Sequence, residues 1–199
     1  RDWAGDWRLE APAAVRISET GIDIDELVLT RDDRAGTVRA AGRLPWRSEE
    51  VDAPLGTLPA DFRLEIAGLP LAPLRLNGED PPASAVLSGT VTVVGSAASP
   101  ALAADLALND IVYENVHIDR VQARIGYAAR RMDARIEALH EGQPILTGQG
   151  RVPIDLTLAP IAERRLDEPL RFEFRAIRVP AAFAAGLVDG FRDVRGEIV

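Results

Sequence analysis

The sequence of 199 residues contains no cysteine. That excludes a disulfide framework, a thiolate nucleophile and any thiolate-held metal. Histidine is nearly as scarce: His117 and His140 stand alone, without the short pairing spacing of a zinc site. Aromatic residues make up only 5% of the chain, so its apolar mass is Leu, Val, Ile and Ala. No run approaches the roughly 18 apolar residues of a membrane-spanning helix. Basic residues number 23 against 31 acidic ones, a net charge of -8, and no Lys/Arg block stands out. Nucleic acid needs clustered positive charge and is not an expected partner. Simple adhesion to anionic headgroups is disfavoured for the same reason. Gly-x-Ser-x-Gly, phosphate-loop and dinucleotide fingerprints are all missing. No enzyme activity and no cofactor are expected.

What is present is alternation. A hydrophobic share of 47% suits a folded chain. Gly21-Ile22-Asp23-Ile24-Asp25, Phe62-Arg63-Leu64-Glu65-Ile66 and Val91-Thr92-Val93 alternate apolar with polar residues. So do Val116-His117-Ile118-Asp119, Val121 to Ile125, Ile136-Glu137-Ala138, Ile154 to Leu158 and Phe172 to Arg175. Successive strand side chains point to opposite faces, so each run predicts a strand with one dry and one wet face. Turn residues fall between the runs, as in Asp32 to Gly36, Asn77 to Pro82, Ala98-Ser99-Pro100, Glu141 to Pro144 and Ala159-Pro160. The pattern predicts about a dozen largely antiparallel strands. One or two short helices are expected, at Pro180 to Val188 and, as a shorter turn, at Leu69 to Leu74.

Three landmarks recur at nearly one offset. Phe62 to Pro70 resembles Phe172 to Pro180, 110 positions on; Gly89 matches Gly196 at 107; Gly42-Arg43-Leu44-Pro45 matches Gly150-Arg151-Val152-Pro153 at 108. They predict a repeat of about 108 residues, stacked laterally into an elongated sheet. The chain opens without Met or a secretory pattern, at Arg1-Asp2-Trp3. It closes on Gly196-Glu197-Ile198-Val199, a strand barely begun. A fragment of a longer protein is therefore expected, in one continuous unit. Residues 1–57 would end a preceding repeat and its linker, 58–165 form a full repeat and 166–199 start the next.

From about residue 58 onward the sequence resembles the TamB/AsmA-like family of translocation and assembly module proteins. The residues that carry the likeness are Leu87-Ser88-Gly89-Thr90-Val91-Thr92-Val93-Val94-Gly95, Ser99-Pro100-Ala101-Leu102, Leu106 to Asp110 and Gly148-Gln149-Gly150-Arg151-Val152-Pro153-Ile154-Asp155-Leu156. Trp7 to Pro45 resembles the tail of a preceding repeat. The resemblance implies an open sheet curled into a U-shaped, taco-like trough with an apolar lining. It also implies the periplasm of a Gram-negative-type envelope, an inner-membrane-anchored parent, and phospholipid moving between inner and outer membranes.

Independently of that likeness, a long sheet must cover its apolar face by stacking, by closing as a barrel, or by curling around something greasy. The medium aliphatics expected there suit acyl chains. The candidate groove residues are Phe62, Leu64, Ile66, Val91, Val93, Leu106, Leu108, Val116, Ile118, Ile136, Ile154, Leu156, Phe172 and Phe174. An ordinary closed core would place the same residues on its dry face. Phospholipids or other acyl-chain ligands are the expected partners, with an outer-membrane barrel as a further one. The alternatives are an assembly factor for barrels, acting through a sheet edge, and a structural spacer. Asp23, Asp25, Glu65, Asp119 and Glu137 read as outward strand charges, and Asp155 as a strand-edge or turn residue. His117 and His140 read as surface residues. Trp3, Trp7 and Trp46 are assigned to packing or to plugging the groove.

Overall fold

A computed structural model describes residues 6–31, 35–45, 55–71, 84–113, 116–158, 164–177, 179–180 and 197–198. The alternating runs become one antiparallel sheet of eleven strands. They are β1 (Trp7–Leu9), β2 (Val15–Ser18), β3 (Gly21–Arg31), β4 (Thr37–Pro45), β5 (Pro59–Leu71) and β6 (Ser84–Ser96). After them come β7 (Pro100–Tyr113), β8 (Val116–Ala128), β9 (Arg131–His140), β10 (Gln143–Pro153) and β11 (Arg171–Ala176). From β3 onward each strand pairs with the next. Both β1 and β2 lie along the other edge of β3, at its two ends. The sheet is an open meander, not closed into a barrel. A separate two-stranded ladder joins β12 (Val179–Pro180) to β13 (Glu197–Ile198).

Tight turns explain the meander. Glu141 and Gly142, which join β9 to β10, have φ of 51° and 71°. Two left-handed residues in a row suit the right-handed twist of a hairpin. Ala129 and Arg130 do the same between β8 and β9, at 48° and 59°. Residues 46–58 and 154–170 connect β4 to β5 and β10 to β11. The first holds the only helix among the described residues, one 3-10 turn at Leu55–Thr57.

Several expectations are corrected here. Leu69–Leu71 is not a helical turn but the end of β5, where a register shift between Ile66 and Leu69 lets the strand continue. Residues 72–74 lie outside the described residues. Ile154 to Leu158 is not a strand of the sheet. Ile154 makes one isolated bridge to Arg165, and the segment turns away across the strand ends. Pro180 belongs to β12, and the rest of the expected helix, 181–188, lies outside the described residues.

The register lines up one apolar face across the sheet. Phe62, Leu64 and Ile66 pair with Val93, Val91 and Gly89, which pair in turn with Leu102, Ala104 and Leu106. The rows run on through Tyr127, Ile125 and Ala123 to Met132, Ala134 and Ile136. In the other direction they reach Gly42, Ala40 and Val38 on β4, then Ile24, Leu27 and Leu29 on β3. Directly opposed residues share a face, so this surface crosses every strand. Among the described residues, however, only eight hydrophobic side chains are buried, and six of those are alanine. No large side chain among them is fully buried. A two-layer domain would bury its aliphatics against a second layer; here most are half-exposed.

Candidate functional site

The aliphatic face and the segment crossing its lower end are the features with functional content. Ten of the fourteen predicted groove residues fall on the same face by register: Phe62, Leu64, Ile66, Val91, Val93, Leu106, Leu108, Ile136, Phe172 and Phe174. Ile118 is three positions from Val121 on β8, past a break in strand phase, and it alternates with His117 and Asp119, whose side chains meet on the polar side, so it too faces the aliphatic side. Opposite this break, Asp110 on β7 takes a φ of 51°. Val116 pairs with Tyr113 at the start of the same strand. Ile154 and Leu156 lie on the crossing segment instead of the sheet.

Phe172 and Phe174 sit at the C-terminal edge over two glycines. Phe172 is opposite Gly150 and Phe174 opposite Gly148, and a Cβ at either glycine would press into the ring beside it. The missing side chains let the rings settle onto β10, stacked with centroids 6.5 Å apart. Both remain more than half exposed, at 55% and 64%. Leu87, Leu102, Ile125, Met132 and the β3 residues Ile22, Ile24, Leu27 and Leu29 also share this face, beyond the residues the sequence pattern pointed to. Their alternation was visible, but only the register shows that they share it.

The crossing segment is held by a polar cluster at the lower strand ends. Asp155 is the one buried charged residue among those described. Its carboxylate accepts the Thr157 N–H at 2.9 Å and lies 3.0 Å from Arg130 Nε. The Thr157 N–H and the neighbouring guanidinium hold its pKa below the ordinary 3.8, against the opposing effect of burial. Arg164 donates to the carbonyls of Asp155 and Thr157 at 3.2 and 2.8 Å. The Tyr127 hydroxyl accepts the Leu156 N–H, and the Leu158 N–H reaches the Ala97 carbonyl at 2.9 Å in the β6–β7 turn. Because Tyr127 stands on the aliphatic face, the segment passes over that face's lower end.

The opposite face is polar and laced with ion pairs. Arg43 bonds Asp23 at 3.3 Å, Arg16 bonds Asp25 at 3.5 Å and Arg63 bonds Glu65 at 2.7 Å. The Arg63 contact, with Arg39 nearby, lowers the pKa of Glu65. Asp105 is lowered by hydrogen bonds from Gln122 and Arg124. Asp119 accepts the Gly142 N–H at 2.8 Å, fastening the β9–β10 turn, and His117 lies exposed beside it. His140 is half-buried at the end of β9. Two concavities of about 800 and 660 Å³ open on this polar side, over Gly126, Arg135 and Gln149, not on the aliphatic side. Exposed pairs of this kind mainly confer solubility and contribute little stability each. Among the described residues no three His, Asp or Glu side chains converge as a metal site. Among the described residues no helix is long and apolar enough to cross a membrane. Trp7 opens β1, half-buried, while Trp3 and Trp46 lie outside the described residues. Comparison with protein-family models, with curated proteins and with solved structures finds no match to this chain.

Proposed function

We propose that this chain is a segment of a TamB/AsmA-like envelope protein whose sheet curls into a groove carrying phospholipid acyl chains between two membranes. One observation carries the reading: an aliphatic face that crosses the whole sheet and whose large side chains, among the described residues, are mostly only partly buried. Such a face stays in water at a cost of about 25 cal/mol per Å² unless something apolar covers it. Flexible acyl chains suit a wall of medium side chains, and they need no polar partner.

The repeat is supported by register. Gly42 stands opposite Phe62, and Gly150 stands opposite Phe172. In both places a strand ending Gly-Arg-Leu/Val-Pro leads through a connecting segment to a strand whose alternating run starts at a Phe, Phe62 or Phe172. Six strands, β5 to β10, separate the two occurrences, an even number that preserves strand direction. The exposed sheet edges favour a second reading, in which a strand of a client barrel pairs with an edge.

Native mass spectrometry of the purified protein separates the two. Bound phospholipid at about one or more molecules per chain supports the groove. A lipid-free protein that photocrosslinks to barrel strands only through residues 171–176 supports the edge reading and overturns the first.

A further inference from the structure

Two Arg-Arg pairs lie 34 positions apart, Arg130-Arg131 and Arg164-Arg165. Each is too short to stand out as a basic block, but the fold brings them together at the lower end of the aliphatic face. Arg130 stands in the β8–β9 turn, and its carbonyl accepts the Ile154 N–H at 3.1 Å. Arg164 lies on the other side of the crossing segment, where its carbonyl accepts the Asp155 N–H at 2.7 Å. Arg131 pairs with Pro153 and Arg165 with Ile154. Four arginines therefore flank residues 153–155, and Asp155 is the acid that answers them. Among the described residues Asp133 bonds Arg151 instead, at 2.7 Å, and Asp167 and Glu168 bond none of the four.

Each guanidinium carries five N–H donors, and only some are used. Arg130 turns its Nε to the Asp155 carboxylate, and Arg164 gives one terminal nitrogen to the Asp155 and Thr157 carbonyls. Among the described residues the terminal nitrogens of Arg130 make no hydrogen bond, nor do Nε and the second terminal nitrogen of Arg164. After the Thr157 N–H, both guanidiniums help to hold the Asp155 pKa down, so both lie near one carboxylate. Two cations share one anion, and a positive charge is left over. Beside them the aliphatic face begins at Tyr127, which pairs with Leu102 and Met132. We infer that Arg130 and Arg164 form an anion site there, and that its ligand is the phosphate of a lipid whose acyl chains lie on the aliphatic face. The acyl half of this inference rests on the groove reading above; the anion half rests on the arginines alone.

Chemistry argues for a headgroup phosphate over a free one. The chain carries a net charge of -8, so at long range it repels anions. Salt screens that field within about 8 Å, and at contact the arginines decide. A guanidinium fork matches two phosphate oxygens at once. The Arg130 side chain is 59% exposed, however, so a phosphate held by these side chains alone binds weakly. A ligand that also lays acyl chains on the neighbouring face adds apolar burial to the same contact.

The test offers the purified protein equal amounts of phosphatidic acid and of diacylglycerol with the same acyl chains, and counts both by native mass spectrometry. Bound phosphatidic acid is expected in roughly ten-fold excess. Arg164→Gln is expected to cut that excess several-fold while diacylglycerol still binds. Arg130→Gln would also strand the buried Asp155 carboxylate, so Arg130→Lys takes its place. It keeps a positive charge beside Asp155, loses the fork, and is expected to lower the excess in the same way. Circular dichroism confirms that each variant keeps the β-type spectrum. Lipid bound without preference, or a preference that survives both substitutions, overturns the inference and leaves the groove reading standing. Protein that takes up neither lipid overturns both. Inorganic phosphate alone is the last arm, read from the arginine side-chain NMR signals. If it shifts the Arg130 and Arg164 signals in protein that takes up no lipid, the site serves free phosphate and the headgroup assignment is wrong.

Discussion

The Tyr127 hydroxyl accepts the backbone N–H of Leu156 at 2.8 Å, tying a segment that leaves β10 to a side chain on β8. Tyr127 is 3% exposed, so the bond forms where water does not readily replace it. Replacing Tyr127 with Phe keeps the ring and removes the acceptor. The unsatisfied N–H is expected to cost about 1–3 kcal/mol. At this chain length that lowers the thermal midpoint by a few degrees. An unchanged melting curve would mean that the segment is held by its other contacts alone.

The same segment is expected to make stability acid-sensitive. The folded environment lowers the Asp155 pKa from 3.8, chiefly through the Thr157 N–H and also through Arg130 and Arg164. A lowered carboxylate contributes stability above its unfolded value and loses it as pH falls through the folded one. Asp155→Asn is therefore expected to be less stable than the parent at pH 7. The gap should narrow once the pH drops below about 4. Urea unfolding of both proteins at pH 7 and pH 3 measures this, and a gap that widens in acid contradicts the assignment.

Two glycines of the sheet, one on β4 and one on β8, are expected to respond in opposite ways. Gly42 has a φ of 107°, and a Cβ there would collide with the Asp61 carbonyl oxygen on β5. Gly42→Ala is expected to cost at least about 2 kcal/mol. Gly126 has no atom within 4 Å of the Cβ position. Gly126→Ala is expected to gain about 0.5–1 kcal/mol by reducing the freedom of the unfolded chain. Denaturant midpoints that move the same way for both would show that local backbone geometry does not govern these sites.

Most strands were legible from alternation because a two-residue period survives any register. The hairpins were only partly legible. Glu141-Gly142 carries a turn residue, whereas Ala129-Arg130 takes two left-handed conformations without glycine or asparagine and left no signal. Ile154 to Leu158 alternates like a strand, yet Asp155 is drawn out of the ladder by Arg130, Thr157 and Arg164. Those partners are distant or irregular in sequence, so local pattern could not reveal them. The aliphatic face was legible strand by strand, but phase was not. Val116-His117-Ile118 and Val121 to Ile125 alternate separately, and only their membership of one strand exposes the slip between Ile118 and Val121.

The lipid reading predicts that phase, not strand, decides the outcome of a charge substitution. Val93 and Thr92 are neighbours on β6, but Val93 pairs with Phe62 and Leu102 on the aliphatic face while Thr92 pairs with Arg63 and Ala103 on the polar one. A carboxylate against acyl chains costs several kcal/mol, and the same group in water costs little. Val93→Asp and Leu106→Asp are expected to reduce co-purified phospholipid to background. Thr92→Asp should leave both lipid content and the β-type circular dichroism spectrum unchanged. Lipid counting by native mass spectrometry, with the spectrum as a folding control, separates three outcomes. Folded Val93→Asp without lipid supports an acyl-chain site. Folded Val93→Asp with undiminished lipid refutes it. If Val93→Asp and Leu106→Asp unfold while Thr92→Asp does not, the face is covered by protein and the sheet is half of an ordinary core.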